Sequence, residues 1–132
     1  MKDKIILDLD NTISLTHKKN YRQSKINIKL KNRINLYKKK GFKVIIYTSR
    51  NMNTFKENIN LIKKKTLPVI KNWLKTNEVP YDEIIVGKPW CGNNGFYVDD
   101  RAIRPSEFVL KNKAEINKIL KQENIKNQKF FK

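Results

Sequence analysis

Apolar residues fall in short runs that predict the strands of a sheet. Residues 4–9, 42–47 and 83–86 form nearly unbroken runs rich in Ile and Val, as is typical of parallel strands buried on both faces. Residues 96–98 predict a further strand, which follows a Gly- and Asn-rich turn at residues 92–95. The pattern therefore predicts several strands that lie in one parallel sheet.

Helical spacing fills the segments between these strands. Apolar residues recur every three or four positions from Ile26 to Tyr37, and the basic residues 38–40 and then Gly41 follow, which indicates a helix with a glycine stop. Thr66 and Pro68 resemble an N-cap and a first helical turn. The other helices are predicted at residues 54–65, at 68–74 and, closing the chain, at about 106–120.

Alternation of strands and helices indicates the fold class. It predicts an α/β fold with a doubly wound, Rossmann-like parallel sheet flanked by helices. We expect a single domain over residues 1–132, with a frayed Lys- and Asn-rich tail from about residue 121. In such sheets, ligands bind beyond the carboxyl ends of the strands.

Composition indicates where the protein is expected to act and which partners it is expected to have. No stretch approaches the roughly 20 apolar residues of a membrane span, so a soluble, cytoplasmic protein with no membrane partner is expected. Cys91 is the sole cysteine, which excludes an intrachain disulfide and a cysteine-based zinc site. The net charge of +18 favours contact with nucleic acid. Because the lysines are spread along the whole chain, a solvated basic surface is the favoured interpretation.

Polar side chains follow each predicted strand. Asp8 and Asp10 are two residues apart, so they would share one face if the strand persisted. Carboxylates crowded together repel one another unless a cation neutralises them, and hard oxygen ligands beside phosphate select magnesium. The candidate residues are Asp8 and Asp10 after the first strand, Thr48, Ser49 and Arg50 after the second, Lys88 after the third, and Asp99 and Asp100 after the fourth.

These residues resemble the ordered motifs of the haloacid dehalogenase (HAD) phosphatase superfamily. The motifs are Asp8-Leu9-Asp10-Asn11-Thr12, Thr48-Ser49-Arg50, Lys88 and Val98-Asp99-Asp100-Arg101. The stretch from Gly87 to Arg101 further resembles bacterial capsule biosynthesis phosphatases. The intervals between motifs leave no room for a cap domain, so the resemblance implies a capless HAD core with an open cleft. An open cleft suits a large substrate, or subunits of a homo-oligomer that cover one another's sites.

The superfamily resemblance also implies roles for individual residues. Asp8 would be the nucleophile that forms an aspartyl-phosphate, and Asp10 the general acid and base. Thr48 and Lys88 would stabilise the transferring phosphoryl group. Mg²⁺ would be bound by Asp8, the Asp10 carbonyl and the pair Asp99 and Asp100, with the direct ligand of that pair left open. Substrate-binding candidates are Asn11, Ser49 and Arg50, although Arg50 could equally cap a helix.

Three functions follow from these observations. The first is a phosphatase acting on a sugar phosphate or a related small phosphate in capsule or surface-polysaccharide synthesis. The second is a phosphatase that trims nucleic-acid ends, which the charge and the open cleft favour. The third, a catalytically silent binding protein, is disfavoured because the required side chains are intact. Among the remaining residues, His17 is a minor candidate for contact with substrate, and structural, rim or packing roles are expected for Arg101, Arg104, Trp90 and Tyr97.

Overall fold

The structure is a computed structural model that describes residues 1–16 and 20–131. The chain divides into two compact units, Met1–Trp90 and Cys91–Lys132. This division does not test the prediction of a single domain. The elements of the first unit, in chain order, are β1 (Lys4–Leu7), β2 (Ser14–Leu15), a 3-10 turn (Tyr21–Gln23), β3 (Lys25–Ile26), α1 (Ile28–Lys39), β4 (Lys43–Thr48), α2 (Ile59–Lys65), α3 (Leu67–Thr76) and β5 (Glu83–Val86).

A three-stranded parallel sheet in the order β1-β4-β5 organises the first unit. The register places Leu7 beside Ile46 and Ile46 beside Ile84. The central strand β4 carries the most buried run, in which Val44 and Ile46 are fully enclosed. The α/β class and the parallel arrangement are therefore confirmed, and the strands begin or end within two residues of their predicted bounds.

The helices of this unit begin and end where local backbone chemistry dictates. The Asn27 side chain accepts a hydrogen bond from the Leu30 N–H and so caps α1. Helix α2 begins at Ile59, later than predicted, because Lys56 and Glu57 have positive φ angles of 50° and 62° that a helix does not allow. Asn58 then supplies the cap. Thr66 precedes α3 as predicted, but its side chain makes no capping bond.

A small hairpin follows β1. Strands β2 and β3 pair antiparallel, with Ser14 beside Ile26 and Leu15 beside Lys25. The buried Trp73 of α3 donates its indole N–H to the Ser24 carbonyl at 3.0 Å, which fastens the hairpin to the helical layer. His17, the sequence candidate in this segment, lies outside the described residues.

The second unit contains α4 (Pro105–Leu110) and α5 (Lys113–Gln128). The predicted strand at residues 96–98 is wrong, since these residues lie in no strand and their side chains are exposed. Strand propensity is not sufficient without a neighbouring backbone to pair with.

The closing helix also differs from its prediction. It is two helices, because Asn112 and Glu115 form a capping box that starts α5 afresh. Helix α5 continues to Gln128 instead of fraying from about residue 121, since no Gly or Pro interrupts that stretch. In the described part of the chain, no helix has the length and hydropathy that a membrane crossing requires.

Candidate active site

The carboxyl ends of the three parallel strands bring three of the predicted residues together. Asp8 directly follows β1, Thr48 ends β4, and Lys88 follows β5 by two residues. The Lys88 N–H donates to the Thr48 carbonyl at 3.1 Å, which holds Lys88 at this edge. The intervening Gly87 has a φ of +89°, a conformation that strains any residue with a Cβ, and a Cβ there would also displace the Ile59 terminal methyl group, which would lie 2.7 Å away.

Asp8 and Lys88 form an ion pair at the edge of the sheet. The Lys88 Nζ lies 3.7 Å from Asp8 Oδ1, and the Asp8 side chain is 37% exposed. Burial raises the pKa of Asp8 above its ordinary value, the charge of Lys88 acts in the opposite direction, and Asp10 raises the pKa further. Asp8 is thus a partly desolvated carboxylate, and Lys88 lies at ion-pair distance from it.

Asp10 is held by three side chains. Arg50 Nε donates to Asp10 Oδ2 at 3.0 Å, and Arg50 Nη2 donates to Oδ1 at 2.7 Å. The hydroxyls of Ser14 and Thr16 also donate to Oδ1, each at 3.3 Å. Both carboxylate oxygens of Asp10 are therefore engaged, and the side chain has a fixed orientation.

A tight turn after β1 sets the position of Asp10. The Leu9 carbonyl accepts hydrogen bonds from the N–H groups of Thr12, Ile13 and Ser14, and the Leu9 and Ile13 side chains are fully buried. Asn11 has a φ of 60°, a conformation that Asn tolerates better than most residues. Its side chain is exposed, so the turn leaves Asn11 open to solvent as its predicted role in binding would require.

The residues after β4 lie at different depths. Thr48 is 1% exposed, and its Oγ1 accepts a hydrogen bond from the Arg50 N–H at 3.1 Å. Ser49 is half-buried. The side chain of Arg50 is 1% exposed and lies over the Tyr21 ring, with its guanidinium carbon 4.1 Å from the ring centroid.

Sequence reasoning missed Ser14, Thr16 and Tyr21 as parts of this site. Burial, followed by the charge of Asp10, raises the pKa of Tyr21 above its ordinary value, and the charge of Arg50 acts in the opposite direction. The hydroxyls of Ser14 and Thr16 follow the first motif closely enough that a turn after Asp10 could have suggested them. Nothing in the pattern around Tyr21 indicates that its ring covers Arg50.

The acidic pair predicted to complete a metal site lies in the second unit. Asp99 and Asp100 are both exposed, and Asp99 Oδ1 accepts a hydrogen bond from the Arg101 N–H at 2.9 Å. Within residues 1–16 and 20–131, no three His, Cys, Asp or Glu side chains are grouped closely enough to hold a metal ion. The magnesium site that Asp8, the Asp10 carbonyl, Asp99 and Asp100 would form stays a prediction.

The donor chemistry of the first unit fits a hard cation. Asp8 offers partly exposed carboxylate oxygens, and the Lys88 ammonium lies 3.7 Å from one of them. Oxygen ligands of this kind bind Mg²⁺ in phosphate-processing sites. Asp8 and the Asp10 carbonyl are therefore suitable ligands for such an ion.

Comparisons with known proteins bear on the fold and on the family. No family model matches the sequence, and no curated protein is significantly similar to it. The crystal structure of an MCSG target from Vibrio cholerae matches 92% of this chain and 98% of its own, with 45% identity and a TM-score of 0.90. A structure of a Pnkp1/Rnl/Hen1 complex matches 83% of this chain with 23% identity and a TM-score of 0.50, over 34% of the matched chain. A structure of the Pnkp1/Rnl/Hen1 RNA repair complex matches with 19% identity and a TM-score of 0.47, over 95% of this chain and 31% of the matched chain.

Fold and site together define an α/β protein whose parallel sheet carries an Asp–Lys ion pair and an Arg-clamped aspartate beyond its strand ends. The chain belongs to the same family as the Vibrio cholerae protein, which it matches over nearly the whole length of both.

Proposed function

We propose that the protein is a magnesium-dependent phosphatase that hydrolyses a phosphate monoester through an aspartyl-phosphate on Asp8. The observation that carries this proposal is the convergence of Asp8, Lys88 and the clamped Asp10 at one edge of a parallel sheet. Sheets of this kind bind ligands at that edge. A partly exposed carboxylate beside a lysine is suited to attack a phosphorus atom while the cation offsets the charge.

The chemistry divides into two displacements. In the first, an oxygen of Asp8 forms a bond to phosphorus, the ester P–O bond breaks, and the departing oxygen takes a proton from the Asp10 carboxyl. In the second, water attacks the same phosphorus, the bond to Asp8 breaks, phosphate leaves, and Asp10 takes the proton of the water. Lys88 stabilises negative charge on Asp8 and on the phosphoryl oxygens. Asp8 and the Asp10 carbonyl would hold magnesium, which would supply further charge compensation.

Thr48, Ser49 and Asn11 complete the proposed site. Thr48 is fully buried, so we assign it chiefly to holding the loop after β4 through its bond to the Arg50 N–H. Its hydroxyl hydrogen remains able to donate toward a phosphoryl oxygen at the strand end. Ser49 and Asn11, which are more exposed, are the candidates for direct contact with substrate.

Two substrate classes follow. The resemblance of residues 87–101 to capsule biosynthesis phosphatases suggests a sugar phosphate or a related small phosphate. The net charge of +18 favours a phosphorylated nucleic-acid end instead, and the likeness of fold to a chain of the Pnkp1/Rnl/Hen1 complex is compatible with that class. The two classes stand as equal candidates for the natural substrate.

Removal of the nucleophile tests the reaction. Asp8→Asn should abolish turnover of 4-nitrophenyl phosphate in magnesium buffer, since an amide cannot form the aspartyl-phosphate. Asp3→Asn, which changes an exposed acid just before β1, is the matched control and should retain wild-type activity. If Asp8→Asn kept most of the activity, the covalent mechanism would be refuted.

Salt dependence separates the substrate classes. An oligonucleotide with a terminal phosphate should lose affinity by orders of magnitude between about 50 and 200 mM salt if several phosphates are contacted. A sugar phosphate should respond weakly over the same range. Similar weak responses for both substrates, with faster turnover of the sugar phosphate, would exclude the nucleic-acid end.

A further inference from the structure

Arg50 is far less accessible than the carboxylate with which it pairs. The side chain of Arg50 is 1% exposed, whereas the side chain of Asp10, with which it pairs, is 25% exposed. A substrate could therefore approach Asp10 without touching the guanidinium group. This arrangement indicates that Arg50 acts through Asp10 and does not itself bind the phosphate.

The donors of Arg50 are committed to a single partner. Nε and Nη2 engage the two oxygens of Asp10 in a parallel, bidentate geometry. The remaining nitrogen, Nη1, is buried and has no hydrogen-bond partner among the described residues. The Tyr21 ring covers one face of the group. Among the residues that the structure describes, Asp10 is the carboxylate that pairs with this buried charge.

Stability alone does not account for such a pair. Burying a guanidinium group carries a large desolvation penalty, and an unpaired buried nitrogen adds to it, so an apolar side chain would often be as stable there. A bidentate arginine does, however, fix the plane of a carboxylate, which lysine cannot do. The hydroxyls of Ser14 and Thr16 hold the same Oδ1 atom and restrict the carboxylate further.

We propose that Arg50 is a positioning residue that fixes the Asp10 carboxyl group for proton transfer to the leaving oxygen, with Tyr21 as the surface against which the guanidinium is held. This inference rests on the phosphatase function proposed above. It replaces the direct substrate-binding role that the sequence suggests for Arg50. The proton passes from the Asp10 carboxyl to the ester oxygen as the P–O bond breaks, and Arg50 keeps its own protons throughout.

The leaving group provides the test, because an alkyl alcohol needs protonation as it departs and 4-nitrophenol does not. The value of kcat/KM covers only the steps up to departure of the leaving group, so it isolates this transfer. Arg50→Lys, which keeps the charge but loses the planar fork, should lower kcat/KM for an alkyl phosphate roughly tenfold or more beyond its effect on 4-nitrophenyl phosphate. A tenfold loss is a fraction of the 10²–10⁴ that general acid catalysis contributes, as expected when the acid is misplaced but still present.

Matched variants guard against a general loss of structure. Arg22→Lys changes an exposed arginine next to Tyr21 and should affect neither substrate. Tyr21→Ala should reproduce the selective loss on the alkyl phosphate, and Tyr21→Phe, which keeps the ring face, should show a much smaller loss. Added guanidinium ion should restore alkyl phosphate turnover to Arg50→Ala if that variant folds. Thermal unfolding of each variant shows whether it is folded.

The outcomes separate this inference from the proposed function. If the wild-type protein turns over both substrates and the Arg50 and Tyr21→Ala variants lose activity selectively on the alkyl phosphate, the positioning role is supported. If the wild-type protein is active and the Arg50 variants show an equal rise in KM for both substrates, Arg50 binds the phosphate, which overturns the inference and leaves the function intact. Equal behaviour of Tyr21→Ala and Tyr21→Phe would also count against it. Absence of wild-type turnover on every monoester would overturn both.

Discussion

Trp73 links the helical layer to the hairpin beside the candidate site, and its replacement by phenylalanine tests that link. Trp73 is 4% exposed, and its Nε1–H donates to the Ser24 carbonyl at 3.0 Å. Ser24 directly precedes β3, and its Oγ is 2.7 Å from Thr16 Oγ1. Trp73→Phe removes the donor and part of the ring while keeping an aromatic side chain.

Two terms set the expected size of the effect. The lost hydrogen bond accounts for about 0.5–1.5 kcal/mol. The smaller ring leaves a cavity in a closed environment, which adds about 1–2 kcal/mol by comparison with larger truncations of buried aromatics. The free energy of unfolding should therefore fall by about 1.5–3.5 kcal/mol. For a chain of this size, that corresponds to a decrease in Tm of about 5–13 °C.

Urea unfolding followed by tryptophan fluorescence measures the change. Trp90, the other tryptophan, is 49% exposed, so Trp90→Phe is a matched control and should alter stability by less than about 0.5 kcal/mol. Each variant keeps one tryptophan as the reporter, and the circular dichroism signal provides a probe common to both. The midpoint of Trp73→Phe should decrease with no change in the slope m. Equal midpoints for the two variants would refute the assignment of Trp73 as the link.

Two further predictions concern ionisable groups. Asp82 accepts a hydrogen bond from the Val44 N–H at 2.7 Å and pairs with Lys38 at 2.6 Å. Both contacts lower the pKa of Asp82, and the hydrogen bond from Lys38 has the larger effect. The stabilisation is thus present above about pH 4 and is lost as the pH falls through the folded-state pKa. Asp82→Ala should cost about 1 kcal/mol in urea unfolding at pH 7 and less at pH 3, and an equal cost at both pH values would contradict this sign. Because Lys88 counteracts the effect of burial on the pKa of Asp8, Lys88→Met should move the acidic limb of the kcat/KM profile to higher pH. The exposed Lys71→Met should leave that limb in place, and a shift to lower pH in Lys88→Met would contradict the assigned role.

The sequence alone was sufficient for the framework that carries the site. Runs of Ile and Val predict the three strands of the sheet, because a parallel strand buried on both faces requires an unbroken apolar segment. Once these strands are parallel, the residues that follow them must meet at one edge. The convergence of Asp8, Thr48 and Lys88 was therefore predictable from strand position alone.

The tertiary structure determined two features that the sequence pattern does not indicate. Residues 96–98 have the composition of a strand but form none, since pairing depends on which backbone lies alongside. Arginine is usually found at the protein surface, yet the Arg50 side chain is buried, lies against the Tyr21 ring and pairs with Asp10. Contacts between residues this far apart in the chain depend on how a hairpin packs against a sheet, and no local periodicity records that packing.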